Sequence, residues 1–151
     1  MTVMLGRLHH VVLDCPDPAA LARFYSELLG QPVTYQSQDW VVVAASDTTS
    51  GLAFQLAPGH RRPTWPDPAI PQQIHLDIMV EDVASAGLGV LALGATKLAG
   101  EDVYADPAGH PFCLCWIQRR EGNRAWTARR EGETSREQTE GGSSGSRGRH
   151  P

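Results

Sequence analysis

No run of apolar residues in this sequence approaches the ~20 residues that a membrane-spanning helix needs. The N-terminus also lacks the charged segment and the apolar stretch of a secretory signal. Cysteine is also scarce. The three cysteines, Cys15, Cys113 and Cys115, are an odd number and show neither the spacing of a disulfide framework nor a CxxC redox pair. We therefore expect a cytoplasmic protein with reduced thiols and without a membrane partner.

Charge is unevenly distributed along the chain. Residues 1–118 carry five Lys and Arg against twelve Asp and Glu, a net charge of −7, whereas residues 119–151 carry eight Arg against five Glu, a net charge of +3. The second segment is poor in apolar residues and rich in Gly, Ser and Arg, a composition typical of disordered linkers. We expect a globular domain over 1–118 and a disordered tail over 119–151. Mixed charges and sparse aromatic residues favour a solvated tail over a nucleic-acid-binding one.

One block of residues occurs twice. The segment from His10 to Asp17 is matched, 65 positions later, by the segment from His75 to Asp82. In both copies a histidine lies in a short apolar-rich run, and an aspartate follows seven residues later, where a helical pattern begins that ends at a glycine. Such a repeat indicates two equivalent supersecondary units. We therefore expect His10 and His75 at equivalent points of a pseudo-symmetric structure.

The first unit, at about 5–57, has the pattern βαβββ. Its first strand, over 8–14, alternates, so that its even positions, His10 among them, share one face. Asp17 then caps a helix that ends at Gly30. Three strand-like runs follow this helix, at 32–38, 40–46 and 51–57.

A linker and a second unit complete the globular part. Residues 58–72 hold five prolines without periodicity, which predicts an extended connection, and Trp65 is its best candidate to fold back on the body. The second unit, at about 73–117, repeats the first, with a cap at Asp82 and a helix end at Gly94. Its predicted elements are a strand over 74–80, a helix over 83–93 and strands over 96–98, 102–105 and 111–117.

Each unit alone would be a four-stranded sheet with a helix on one side. Two such sheets placed side by side curl, through their inherent twist, into an eight-stranded mixed cup with the helices outside. The fold class is therefore α+β. Because the faces without helices line the hollow, we expect His10 and His75 to reach one cavity from opposite sides.

Several features together resemble the vicinal oxygen chelate superfamily. They are the paired βαβββ plan, the His-to-Asp spacing of seven, Phe24-Tyr25 ahead of Leu28-Leu29-Gly30, and Asp106-Pro-Ala-Gly-His-Pro-Phe112 before the last strand. This superfamily includes glyoxalase I, extradiol dioxygenases, methylmalonyl-CoA epimerase, fosfomycin-modifying enzymes and bleomycin-binding proteins. The resemblance is closest to small bacterial glyoxalase-like members and covers about residues 5–117. It implies a small-molecule ligand in the cup, with the units paired within one chain or between the chains of a homodimer.

The resemblance also implies positions for a metal ion. In metal-using members, the first and last strands of each unit supply the four ligands. Here the first-strand positions match His10 and His75, and the last-strand positions match Gln55 and Cys113, the latter where a glutamate is usual. Two imidazoles and a thiolate favour zinc or iron over magnesium or calcium. Because neither Gln55 nor Cys113 supplies a carboxylate, a protein without any metal is the alternative.

Other side chains could serve catalysis or binding. A glyoxalase-type proton shuttle uses a ligand glutamate as its base, and Asp77, two residues beyond His75 on the same strand face, is the nearest carboxylate to replace it. Trp40, Trp65 and Tyr104 are candidates for contacting a flat or partly apolar ligand. Each of these residue types is also common in purely structural positions.

Two functions are compatible with these residues. The first is a metal-dependent lyase, isomerase or epimerase whose small organic substrate chelates the ion through its oxygens. The second is a metal-free binding protein that sequesters a small molecule, and the acidic body and aromatic cavity suit a cationic, planar one. Dioxygenase chemistry is disfavoured because neither Gln55 nor Cys113 completes a triad of two histidines and one carboxylate.

Overall fold

The computed structural model describes residues 4–116, so the tail expected over 119–151 lies outside the described residues. Within 4–116 the elements are β1 (His10–Cys15), α1 (Pro18–Leu29), β2 (Val33–Gln36), β3 (Trp40–Ala44), β4 (Gly51–Leu56), β5 (Leu76–Val80), α2 (Val83–Ala92), β6 (Thr96–Lys97), β7 (Val103–Ala105) and β8 (Pro111–Trp116). This is βαβββ twice. The predicted α+β class and the cup of two modules are confirmed. Neither helix of this part of the chain has the length and hydropathy to cross a membrane.

Each module forms its own four-stranded mixed sheet. In module one (β1 to β4) the strand order is β1-β4-β3-β2, and in module two (β5 to β8) it is β5-β8-β7-β6. In both, the first and last strands run parallel and the remaining pairs are antiparallel. The sequence repeat is therefore a structural repeat, and it places the strand that follows His75 directly beside the strand that carries Cys113.

Local capping chemistry determines where both helices begin. The side chain of Asp17 accepts a hydrogen bond of 2.9 Å from the backbone N–H of Ala20, and Asp82 accepts one of 2.7 Å from that of Ser85. Helix α1 ends where Gly30 takes the left-handed conformation, with φ of 62°. Both predicted caps and this predicted helix end are confirmed.

The first strand of each module begins two residues later than predicted. The paired register starts at His10 with Gly51 in module one and at Leu76 with Phe112 in module two. A strand can extend only where its neighbour offers backbone groups. β4 begins at Gly51, and the residue of β8 ahead of Phe112 is Pro111, which has no backbone N–H. As a result, His75 lies just ahead of β5, in a segment whose conformation the sheet does not impose.

The hydrophobic core lies on the helix side of the sheets and is shared by both modules. On β1, Leu13 is 1% exposed and faces this core, whereas Val12 is 43% exposed on the opposite face, as the predicted alternation requires. From α1, the ring of Tyr25 stacks on Phe54 of module one at 5.4 Å between centroids. Its neighbour Phe24 meets Phe112 of module two edge-on at 6.0 Å. Burial of one such aromatic side chain contributes about 1.5–3 kcal/mol.

Candidate functional site

Three side chains with metal-binding chemistry converge on the face of module two that is turned away from α2. Asp77 on β5 lies opposite Cys113 on β8, and alternation along β5 sends Leu76 and Ile78 into the core instead. With His75 they form a group in which one ligand atom from each residue lies within 4.8 Å of the others. Across residues 4–116 this is the one group of three or more His, Cys, Asp and Glu side chains placed so closely.

The imidazole of His75 is oriented by contacts on both nitrogens. Its Nδ1 lies 3.3 Å from the side-chain oxygen Oε1 of Gln72, an acceptor that favours the tautomer with the proton on Nδ1. Its Nε2 lies 3.2 Å from Oδ1 of Asp77 and is buried without a hydrogen-bond partner. A lone pair on Nε2 beside a carboxylate oxygen favours a cation between the two atoms.

Residues around this group shape its surroundings. Trp65 of the linker folds back on the body, as expected. Its Nε1 donates a hydrogen bond of 2.9 Å to the carbonyl of Ala99, and its ring centroid lies 6.1 Å from that of His75. Burial, followed by the charge of Asp77, raises the pKa of the Cys115 thiol. Cys115 lies outside the group of three.

A second concave feature lies in module one, on the sheet face opposite α1. It is a cavity of about 440 Å³ lined by His9, His10, Thr34, Tyr35, Trp40, Val42 and Asp47. The ring centroids of His9 and His10 lie 3.7 Å apart. Burial, followed by the charge of His9, lowers the pKa of His10, so its imidazole is neutral at pH 7. Two of the predicted site residues, His10 and Trp40, thus line the same cavity.

The remaining predicted residues lie apart from these two groups. Gln55 is exposed on β4, paired with Asp14 and Trp40, on the face away from α1. His10 does not belong to the group of three, and neither Gln55 nor His75 lines the cavity of module one. The structure therefore unites two of the four predicted ligands, His75 and Cys113.

Tyr104 lies on the helix face of module two and not in the cup. It is 6% exposed, and its ring stacks on Phe112 at 5.8 Å between centroids. The reason is the register of β7 against β8, which pairs Tyr104 with Phe112 and so gives both residues the same face. Tyr104 is a packing residue beneath α2.

Sequence reasoning missed Gln72, which contacts His75, and His9 and Asp47, which line the cavity with His10. Gln72 lies three residues before His75 in a linker without periodicity, so no pattern marked it. Adjacency in sequence to His10 was the one available signal for His9.

Two sheets with this strand order, joined into a cup by a βαβββ repeat, define the vicinal oxygen chelate superfamily, and this chain belongs to it. More narrowly, residues 10–115 match the glyoxalase-like domain family, of which the chain is a member. No curated protein matches the chain.

Solved structures with the same fold come from several proteins. A glyoxalase-related enzyme from Fulvimarina pelagi is 20% identical, with a TM-score of 0.54 over 75% of this chain and 89% of its own. A glyoxalase/bleomycin resistance protein/dioxygenase family enzyme from Burkholderia phytofirmans PsJN is 16% identical, with a TM-score of 0.59 over 75% of this chain and 100% of its own. The oxidase ChaP-H2 is 21% identical, with a TM-score of 0.54 over 80% of this chain and 100% of its own. At these identities the likeness establishes the fold alone.

Proposed function

We propose that the protein binds a small organic molecule with oxygen donors in its cup, in a domain over 1–118, and acts on it as a metal-dependent lyase, isomerase or epimerase. His75, Asp77 and Cys113 would hold the metal ion. The observation that carries this proposal is the convergence of their three ligand atoms within 4.8 Å of one another. Members of the superfamily often bind divalent metals in the cup, which supports the same reading.

The donor set fits a borderline ion such as zinc or iron. An imidazole nitrogen, a carboxylate oxygen and a sulfur are the three donor types that zinc takes in proteins, whereas magnesium and calcium prefer oxygen alone. The buried Nε2 of His75, which has no hydrogen-bond partner, is an available ligand. Its Nδ1 contact with Gln72 is the outer-shell support typical of metal-bound histidines. When bound, the ion would polarise substrate oxygens and stabilise negative charge that develops on them.

The protein's own groups would handle the proton. The side chain of Asp77 is 47% exposed, so a substrate in the cup can reach the carboxylate. Its Oδ1 faces His75, and its second oxygen can accept a proton from a carbon adjacent to a carbonyl group. Gln72 fixes the ring of His75, and Trp65 offers an apolar surface beside it.

Metal analysis of the purified full chain tests this function. We expect the group of three to hold about one equivalent of zinc or iron per chain, as in a structural or catalytic zinc site. His75→Ala and Asp77→Asn should therefore each contain about one equivalent less than the wild type. Asp14→Asn is the matched control, because Asp14 is an exposed carboxylate on the equivalent strand of module one, outside the group. A protein without metal after growth with zinc and iron, or two variants with as much metal as the wild type, would refute the proposal.

The cavity of module one favours a second candidate, metal-free sequestration of a planar cation. Tyr35 and Trp40 offer aromatic surface and Asp47 a negative charge, in a segment, 1–118, with a net charge of −7. The dye thioflavin T is a suitable probe with the chelator-treated protein. We expect Trp40→Ala to weaken dye binding about 10-fold, the scale of a lost cation–π contact. Equal binding by wild type and variant would exclude this candidate.

A further inference from the structure

A buried polar junction lies outside the cup, at the turn that precedes β8. The carboxylate of Asp106 is 0% exposed and accepts four hydrogen bonds. Its Oδ2 accepts from Tyr25 Oη at 2.9 Å and lies 2.8 Å from His110 Nδ1, and its Oδ1 accepts from the backbone N–H groups of Ala108 at 2.9 Å and His110 at 3.0 Å. Since Tyr25 belongs to α1, this carboxylate joins module one to module two.

These contacts determine the tautomer of His110. Burial, followed by the charge of Asp106, raises the pKa of Tyr25 well above its ordinary value, so the phenol keeps its proton and donates it. A carboxylate can only accept, so His110 Nδ1 must donate as well. In the neutral form of the ring, the proton is therefore on Nδ1 and the lone pair on Nε2. That Nε2 is buried without a hydrogen-bond partner in a residue that is 1% exposed.

His60 of the linker shows the same arrangement. Its Nε2 lies 2.8 Å from the carbonyl oxygen of Ala108, which can only accept, so Nε2 has the proton and Nδ1 has the lone pair. His60 Nδ1 is also buried without a hydrogen-bond partner. The rings of His60 and His110 lie 5.1 Å apart between centroids. Two buried lone pairs on neighbouring imidazoles thus have no donor among the described residues.

A neighbouring arginine keeps the linker on this turn. The guanidinium of Arg62 donates a hydrogen bond of 2.6 Å to the carbonyl of Pro107. The aliphatic part of Arg62 lies over Gly109, where a Cβ would be only 3.1 Å from it. Gly109 has a φ of 98°, a conformation that other residues rarely adopt. The linker is therefore held where His60 meets His110.

From this geometry we infer that His60 and His110 form a second metal site, which takes a borderline divalent ion such as zinc through His60 Nδ1 and His110 Nε2, with solvent completing the coordination. Two unsatisfied buried acceptors destabilise the fold, and a bound ion removes that cost. Metal-bound histidines nearly always donate their other N–H to a carboxylate or a backbone carbonyl, which are the partners here. His60 is half-buried, which gives the ion access.

Zinc titration against a competing chromophoric chelator tests this site in the full-length protein. The titration uses the background His75→Ala with Cys113→Ala, which removes the group in the cup and separates the two proposals. We expect this background protein to bind one further zinc ion. His60→Gln should weaken that binding by more than about 10-fold, the smallest effect reported for supporting residues of metal sites. His9→Gln is the matched control and should leave the affinity unchanged.

A second measurement detects His110 as a ligand without replacing it, because the residue is fully buried and its replacement would destabilise the fold. Copper(II) bound to the background protein should give an electron paramagnetic resonance spectrum with coupling to two imidazole nitrogens, and His60→Gln should reduce it to one. No zinc binding by the background protein, or equal binding after His60→Gln, would overturn the inference.

Discussion

At the residue scale, the partner of one imidazole nitrogen decides the chemistry of the other. Gln72 lies against Nδ1 of His75, and Asp106 accepts from Nδ1 of His110, so both rings are left with a lone pair on Nε2. In each case that Nε2 is buried without a hydrogen-bond partner. These short contacts leave on each ring a nitrogen that suits the cation we propose.

The hydrogen bond from Tyr25 to Asp106 offers a test at this scale. Tyr25→Phe removes a buried donor to a carboxylate, so we expect it to lower the free energy of unfolding by about 1.5–3 kcal/mol. The measurement is urea denaturation of the full chain, followed by circular dichroism. Tyr35→Phe is the control, because Tyr35 is 57% exposed and its loss should change stability by less than about 0.5 kcal/mol. Equal stability of the two variants would show that the buried contact contributes nothing.

At the element scale, most of the fold could be predicted from the sequence because its signals are local. The caps at Asp17 and Asp82 and the helix end at Gly30 depend on neighbours within a few residues, and the structure confirms all three. The placement of Tyr104 depends instead on the register of β7 against β8, a relation between strands that no local pattern encodes. For the same reason the starts of β1 and β5 were placed too early.

The glycines of α2 give a matched test of how this helix packs. A Cβ at Gly89 would meet nothing within 4 Å, whereas one at Gly87 would lie 2.5 Å from Oη of Tyr104. We expect Gly89→Ala to stabilise the protein by up to about 1 kcal/mol, the difference in helix propensity. Gly87→Ala should destabilise it, and Tyr104→Phe in the same chain should relieve part of the loss. Thermal denaturation measures all three, and equal gains from both alanines would contradict the packing of Tyr104 beneath α2.

At the scale of the whole molecule, the modules share one core and one buried carboxylate, while their cup faces carry different chemistry. Module two brings His75, Asp77 and Cys113 together, and module one places His10 beside Trp40 in a cavity. The sequence repeat predicted equivalent positions for His10 and His75. Contact of both side chains with one ligand depends in addition on how the two sheets meet. The homodimer and the cytoplasmic location expected from the sequence stay predictions.

Cobalt(II) binding to the purified full-length protein, followed by absorption spectroscopy, tests the group of three most directly, because a thiolate bound to cobalt gives a near-ultraviolet charge-transfer band. If His75, Asp77 and Cys113 hold the ion, the band should appear at one equivalent and disappear in Cys113→Ser. Cys115→Ser should retain it, because Cys115 lies outside the group of three. A cobalt complex without the band, or a band that survives Cys113→Ser, would contradict a metal site in the cup of module two.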